Sequence, residues 1–161
     1  MKAVWWIKRD FRVTDNACLI NVLGECGEVV PFFCWERGIM KAGDFSDFHL
    51  QAQFQALGGL TESIAKRGGY TRIVFGEIIE QFEKLFRIYP FTHLYSHQET
   101  GNLISYKRDV EVGKWCEQHG VTWEESAQNS VLRGGDANRR RSVAIHSNFR
   151  ETPPLPSPNR I

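Results

Sequence analysis

The sequence predicts an α/β domain built on a five-stranded parallel sheet. Three observations carry that expectation. Short apolar runs alternate with helical patterns along residues 3–125, in the order β-α-β-α-β-α-β-α-β. The runs are apolar without clean alternation, as strands covered on both faces are. The length, 161 residues, suits one domain, and a chain of that size buries roughly two-thirds of its surface. Strands alternating with helices favour right-handed crossovers between parallel neighbours.

The elements follow in order. Ala3–Lys8, rich in Val, Trp and Ile, is the first strand. The first helix is expected over Asn16–Leu23, with Asp15 as N-cap before Ala17, Leu19 and Ile20. Val29–Trp35 is the second strand. Phe48–Arg67 places Leu50, Phe54, Leu57 and Ile64 at helical spacing and stops at the C-cap signal Gly68-Gly69. The interior pair Gly58-Gly59 lowers helix propensity by about 1 kcal/mol per glycine and signals close packing or a break. Thr71–Phe75 is the third strand. The next helix, Glu77–Ile88, turns Ile78, Ile79, Phe82, Leu85 and Phe86 inward and Glu80 and Glu83 outward. Thr92–Ser96 is the fourth strand. Ser105–Gln118 is a helix with Val110, Val112 and Trp115, stopped at His119-Gly120, and Val121–Glu124 is the fifth strand.

Residues 1–125 thus read as the folded domain and 126–161 as a basic, Pro-rich linker. The tail holds Gly134-Gly135, Arg139-Arg140-Arg141 and Pro153-Pro154-Leu155-Pro156-Ser157-Pro158, which suit an extended or disordered segment. The net charge of +1 hides an asymmetry: 14 Lys/Arg against 17 Asp/Glu in residues 1–125, and 6 against 2 beyond them. A uniformly basic nucleic-acid-binding surface is therefore not visible in the body of the chain. The arginine run is a solvated linker or a contact for phosphate or a partner domain. The four cysteines, Cys18, Cys26, Cys34 and Cys116, form no CxxC pair and suit reduced, buried thiols of a cytoplasmic protein. Cys116-x-x-His119 lacks a second half for zinc. Apolar stretches fall far short of the roughly 20 residues a membrane span needs, and the N-terminus lacks a signal-peptide pattern.

Parallel sheets bind ligands at the carboxyl ends of their strands. Two loops at such ends are rich in polar groups: Lys8–Asn16 after the first strand and His97–Asn102 after the fourth. They face each other if those two strands are neighbours. Neither GxxxxGK[ST] nor GxGxxG occurs, nor a GxSxG elbow, so phosphate-loop, dinucleotide-binding and α/β-hydrolase chemistry are excluded.

The run Trp6-Ile7-Lys8-Arg9-Asp10-Phe11-Arg12, followed by Asp15-Asn16 and Leu19, resembles the opening strand and loop of the DNA photolyase/cryptochrome family, with Phe11 where the family pattern has Leu. Val30-Pro31-Phe32-Phe33 looks like its second strand. Leu94-Tyr95, Glu99, Gly101 and Arg108-Asp109 look like its fourth strand and next helix. Tyr106–Asp109, Trp123-x-Glu125 and Gln128–Arg133 are similar to a photolyase-like subfamily. The resemblance covers about residues 3–133.

It implies a Rossmann-like three-layer antenna domain, followed by a linker to a FAD-binding helical domain that lies outside these 161 residues. The full-length protein would use blue light and FAD to repair pyrimidine dimers in DNA, as a deoxyribodipyrimidine photo-lyase. A cryptochrome-type photoreceptor, or a docking domain with no chromophore, is the alternative. The partners implied are that helical domain and, through it, damaged DNA. No catalytic residue is expected here, and the chain alone is expected not to repair DNA.

The implied cofactor is a folate, deazaflavin or FMN antenna, and the residues expected around it are Arg9, Asp10, Trp35, Phe48, His49, Glu99 and Asn102. A carboxylate and an amide match the N–H and C=O edges of such rings, and aromatics stack on their faces. Each residue also has a plain structural reading. Asp10 and Arg12 pair or brace a neighbouring domain, Glu99, Thr100 or Asn102 caps the helix near Ser105, and Trp35 and Phe48 close the core. Trp5, Trp6, Trp115 and Trp123 belong to core or interface. A flavodoxin-like flavin module would want a Ser/Thr/Gly cradle where bulky Arg9-Asp10-Phe11-Arg12 stands.

Overall fold

A computed structural model describes residues 1–43, 45–99 and 102–127. The chain divides into two units, Met1–Asn129 and Ser130–Ile161. The readings placed on residues 128–161, including the Pro-rich tail and the Gln128–Arg133 resemblance, lie outside the described residues.

Five strands, β1 (Lys2–Ile7), β2 (Glu28–Glu36), β3 (Arg72–Gly76), β4 (His93–His97) and β5 (Thr122–Ser126), form one sheet in the order β3-β2-β1-β4-β5. Every neighbouring pair is parallel. The register sets Trp6 of β1 beside Phe32 of β2 and Ser96 of β4. The chain leaves β1 in one direction for β2 and β3, then returns to β4 on the other side of β1. The β1/β4 boundary is therefore the switch point where such sheets open a crevice.

Alternation along the central strands sorts side chains into two apolar layers. Val4, Trp6, Phe32 and Leu94 face one side and pack with Ile78, Phe82 and Leu85 of α4 (Ile78–Ile88) and Val112 and Trp115 of α5 (Leu103–His119). Trp5, Ile7, Phe33 and Tyr95 face the other. They meet Cys18 and Val22 of α1 (Ala17–Glu25) and Leu57, Leu60 and Ile64 of α3 (Asp47–Ala65). Trp5, Trp6, Phe32, Phe82 and Leu94 are almost wholly buried, which explains why the strands lack a polar face.

The helix signals hold with local corrections. α1 is capped by Asn16, whose Oδ1 accepts from the Leu19 amide at 2.8 Å, and not by Asp15. Asp15 sits one residue earlier with φ of 48°, in the left-handed region that Asp tolerates. α3 starts after Ser46, whose Oγ accepts from the His49 amide. Gly58 and Gly59 neither pack closely nor break the helix: a Cβ at either would meet nothing within 4 Å. Phe54, expected on the buried stripe, is 70% exposed. α5 ends at Gly120 with φ of 65°, the left-handed closure for which glycine is suited. A four-residue helix α2 (Arg37–Met40) between β2 and α3 carries no sequence period and was not expected.

All four cysteines are free and buried. Burial pushes the thiols of Cys18, Cys34 and Cys116 up to about 12, so they remain protonated packing groups. No described helix is long and apolar enough to cross a membrane.

Candidate functional site

The carboxyl ends of β1, β2, β4 and β5 carry the densest charge cluster among the described residues. Its hub is Arg108 on the second turn of α5, buried with its side chain 9% exposed. Nη1 donates to Glu36 Oε1 at the end of β2 (2.9 Å), Nη2 donates to Glu99 Oε2 after β4, and Nε donates to Asp109 Oδ1 (2.9 Å). The guanidinium also lies 4.9 Å from the Trp6 ring centroid, a cation–π contact. Beside it, buried Lys8 Nζ reaches Asp109 Oδ2 at 3.0 Å and Glu125 Oε1 at 3.1 Å, and sits 4.4 Å from Trp6. Asp109 is thus shared by both cations.

Glu99 bridges the two loops that the sequence places at the crevice. One oxygen holds Arg108, and the other lies 2.8 Å from Nε of Arg9 on the loop after β1. That second contact is an ion pair without hydrogen-bond alignment, since Glu99 Oε1 has no hydrogen-bond partner. On the α1 side, Asp10 pairs with Arg12 at 3.3 Å, and its other oxygen is 3.6 Å from His97 Nδ1, too long for a hydrogen bond. Asp10 Oδ2 and His97 Nε2 have no hydrogen-bond partner.

Burial governs the titrations. It pushes the Glu36 carboxyl up to about 7 against the opposing pull of Arg108, with Glu99 and Asp109 adding to the rise. It holds His97 down at about 4, helped by the Arg12 and Lys8 charges, so the imidazole is neutral at physiological pH. Burial, only partly offset by Arg12, raises Asp10. Burial disfavours charge on Arg108 as well, but Glu36, Glu99 and Asp109 more than offset it, and the guanidinium stays charged.

Glu36 and His97 impose opposite slopes on stability. The raised Glu36 contributes stability that is present below its ordinary value of 4.5 and is lost as pH climbs to about 7. The depressed His97 contributes stability that is present above 6.5 and is lost as pH falls to about 4. Glu36→Gln is therefore expected to make stability climb more steeply between pH 4.5 and 7 than in the parent, and His97→Gln to flatten the acid side. Each change is read as the altered slope of stability across its own pH window. Urea unfolding at a series of pH values checks both, and parallel profiles for all three proteins would refute the assignment.

Of the seven residues expected at the site, Arg9, Asp10 and Glu99 come together at the β1/β4 boundary. Trp35, held edge-on to Phe33 with centroids 5.0 Å apart, joins Arg9 and Glu99 at a small cavity that Asp10 does not line. Asn102 is placed elsewhere in function: it is the N-cap of α5, and its Oδ1 accepts from the Ile104 and Ser105 amides at 3.1 and 3.0 Å. Phe48 and His49 lie exposed on the first turn of α3, Phe48 at 76%. Phe45 and Gln53 line the cavity from that segment instead. Sequence reasoning missed Glu36 and His97, and saw Lys8, Arg108, Asp109 and Glu125 only as motif letters. Charged residues at the ends of β1, β2 and β5 (Lys8, Glu36 and Glu125) were the available signal.

The cavity is lined by Phe33, Trp35, Met40 and Phe45 together with Lys8, Arg9, Glu36, Glu99 and Arg108. Aromatic and aliphatic surface beside cations and carboxylates is the donor set that a planar heterocycle with N–H and C=O edges requires. Glu99 Oε1, ion-paired with Arg9 but accepting no hydrogen bond, is an acceptor suited to a ring N–H. The free volume is only about 60 Å³, room for a few waters, against about 300–1,000 Å³ for ligand pockets. The chemistry fits such a ring, and the free volume of the cavity is smaller than one.

The chain is thus a parallel three-layer α/β domain with a charged crevice at its switch point. The sequence profile described as DNA photolyase matches residues 3–152, and the chain belongs to the DNA photolyase family. Blue-light photoreceptor PHR2 of Arabidopsis thaliana is 27% identical over 110 residues, covering 62% of this chain and 24% of that protein. The archaeal photolyase of Sulfolobus tokodaii, solved with two FAD molecules and an implied novel light-harvesting cofactor, superposes with a TM-score of 0.78. It is 21% identical and covers 95% of this chain and 35% of that one. A bacterial class III photolyase from Agrobacterium tumefaciens gives a TM-score of 0.70 at 18% identity, covering 78% of this chain and 25% of its own. The chain spans about a quarter to a third of the length of these relatives.

Proposed function

We propose that residues 1–125 are the antenna and scaffold domain of a photolyase-like protein, and that 126–161 lead toward a FAD-binding helical domain. The full-length protein would use blue light and FAD to repair pyrimidine dimers in DNA in the cytoplasm. The observation that carries the antenna reading is the cavity at the β1, β2 and β4 ends, lined by Trp35 and by buried Glu99 beside Arg9. Arg9, Trp35 and Glu99, which line it, are the residues that would hold a folate, deazaflavin or FMN ring; Asp10 lies outside the lining, against Arg12 and His97. When bound, that group supplies blue-light absorption and passes excitation to FAD. Phe48 and His49, exposed on α3, and Asn102, engaged as a cap, support no contact in the present arrangement.

The expected result is saturable quenching of tryptophan fluorescence by one of the three chromophores, because Trp35 lies at the cavity. Glu99→Ala is expected to weaken binding by at least about tenfold, equivalent to 1.4 kcal/mol. Unfolding of the same variant separates lost binding from lost fold. Absence of quenching by all three would overturn the antenna reading. The cavity of about 60 Å³ favours a second reading, a docking domain that holds no chromophore, and that outcome would leave it standing. The similarity to a blue-light photoreceptor supports a signalling parent as the alternative to repair.

A further inference from the structure

On the α1/α3 face a second cavity, of about 370 Å³, shares no lining residue with the crevice. It exists because β2 outruns β3. β2 spans Glu28–Glu36, but β3 pairs only with Phe32–Glu36, so Val29, Val30 and Pro31 have no β3 neighbour. Pro31 suits that position, where no ladder needs its absent N–H. The floor is therefore Trp5 and the first half of β2. Leu19 and Leu23 of α1 wall one side, and Ile64 with the following Arg67 and Tyr70 the other.

Arg67 is the charged group in an otherwise largely apolar lining, and Trp5 lies at its base. Trp5 is wholly buried, and its indole N–H has no hydrogen-bond partner. A buried indole N–H usually finds an acceptor, and one left without needs a reason. Arg67 donates to the Ser63 carbonyl at 2.8 Å and forms no ion pair with a described carboxylate. The volume exceeds the roughly 150 Å³ of an apolar cavity that takes benzene and falls in the range of ligand pockets.

We propose that this groove is a second ligand site, separate from the crevice, that takes a planar aromatic carboxylate of two or three rings. Its ring body lies over Pro31 and the buried Trp5 beneath, flanked by Leu19, Leu23 and Ile64, and Arg67 balances the negative charge. Apolar burial supplies most of the affinity, and the cation selects the anion over neutral analogues.

The test uses the whole chain, with 2-naphthoate and the neutral 2-naphthylmethanol as probes, followed by nuclear magnetic resonance of the indole N–H signals. Saturable movement of the Trp5 indole signal is expected with both, and naphthoate is expected to bind about tenfold tighter. Arg67→Gln should erase that preference. Leu23→Trp, at a position 61% exposed and so harmless to the core, should fill the groove and weaken both probes by at least about tenfold. A Trp5 signal unmoved at millimolar probe, or binding indifferent to both variants, would overturn the proposal. Glu99→Ala should leave this binding unchanged, which separates it from the crevice.

Discussion

Arg108→Met is expected to lower the unfolding free energy of the chain by about 3–5 kcal/mol, as removal of one partner from a buried ion network does. The guanidinium alone faces Glu36, Glu99 and Asp109. Without it, Glu36 (8% exposed) loses its ion-pair partner and buried Glu99 (5% exposed) keeps only the half-exposed Arg9. Asp109 still has Lys8. The loss therefore comes chiefly from stranded carboxylates, and it should shrink when they are neutralised. Adding Glu36→Gln and Glu99→Gln to Arg108→Met is expected to recover about half of it, a non-additivity expected of groups in contact. Denaturant unfolding of the single and triple variants decides. A single-variant loss below about 1 kcal/mol would mean that the network behaves as a surface one.

Phe82→Ala is expected to cost a similar amount, about 3–5 kcal/mol, for a different reason. Phe82 is wholly buried, and its ring centroid lies 5.4 Å from Trp6, 5.4 Å from Phe32 and 5.5 Å from Trp115. It ties α4 to two strands and to α5. Truncation leaves a cavity that four rigid rings, counting Phe91, cannot collapse to fill. Phe82→Leu conserves most of the volume and should cost less than about 1.5 kcal/mol, plus the lost ring contacts. Urea unfolding measures both, and equal losses for Ala and Leu would contradict a cavity origin.

The two variants act on opposite sides of one residue. Trp6 receives Phe82 edge-on, while Arg108 and Lys8 lie over its ring. The crevice charges are thus seated directly on the apolar core of the α4/α5 face. A rigid floor of this kind positions loops without needing the loops themselves to be rigid. It also explains why the cavity above Glu36 and Trp35 is small: the charges are satisfied mainly by each other.

Much of the fold was legible because its signals are local. Each expected strand overlaps an observed one, and four long helices lie where apolar spacing put them. Caps were legible to within a residue. Asp15-Asn16 offers two adjacent capping side chains, and only the backbone decides which of them reaches the Leu19 amide. Phe54 fits the α3 stripe by spacing, yet the inward row is Leu57, Leu60 and Ile64 and Phe54 faces solvent. Helix α2 escaped notice because four residues are too few to show a period.

The site was legible in part. Arg9, Asp10 and Glu99 stand in polar loops at strand ends, which directs attention to them. Glu36 follows a long apolar run and looks like the start of a turn. His97 looks like one polar loop residue among several. Nothing adjacent in the chain marks Arg108 as the centre, since its partner Glu36 lies 72 residues away.

The sequence by itself determined the layers, the parallel strands and which loops stand at their carboxyl ends, because periodicity and capping act over a few residues. The tertiary structure alone decided that β1 lies between β2 and β4, and hence which charges meet. Ion pairs form where strand order brings chain ends together, and burial then sets their titration. That same packing left Glu36 near neutrality, placed Asn102 in a cap and turned Phe48 to solvent.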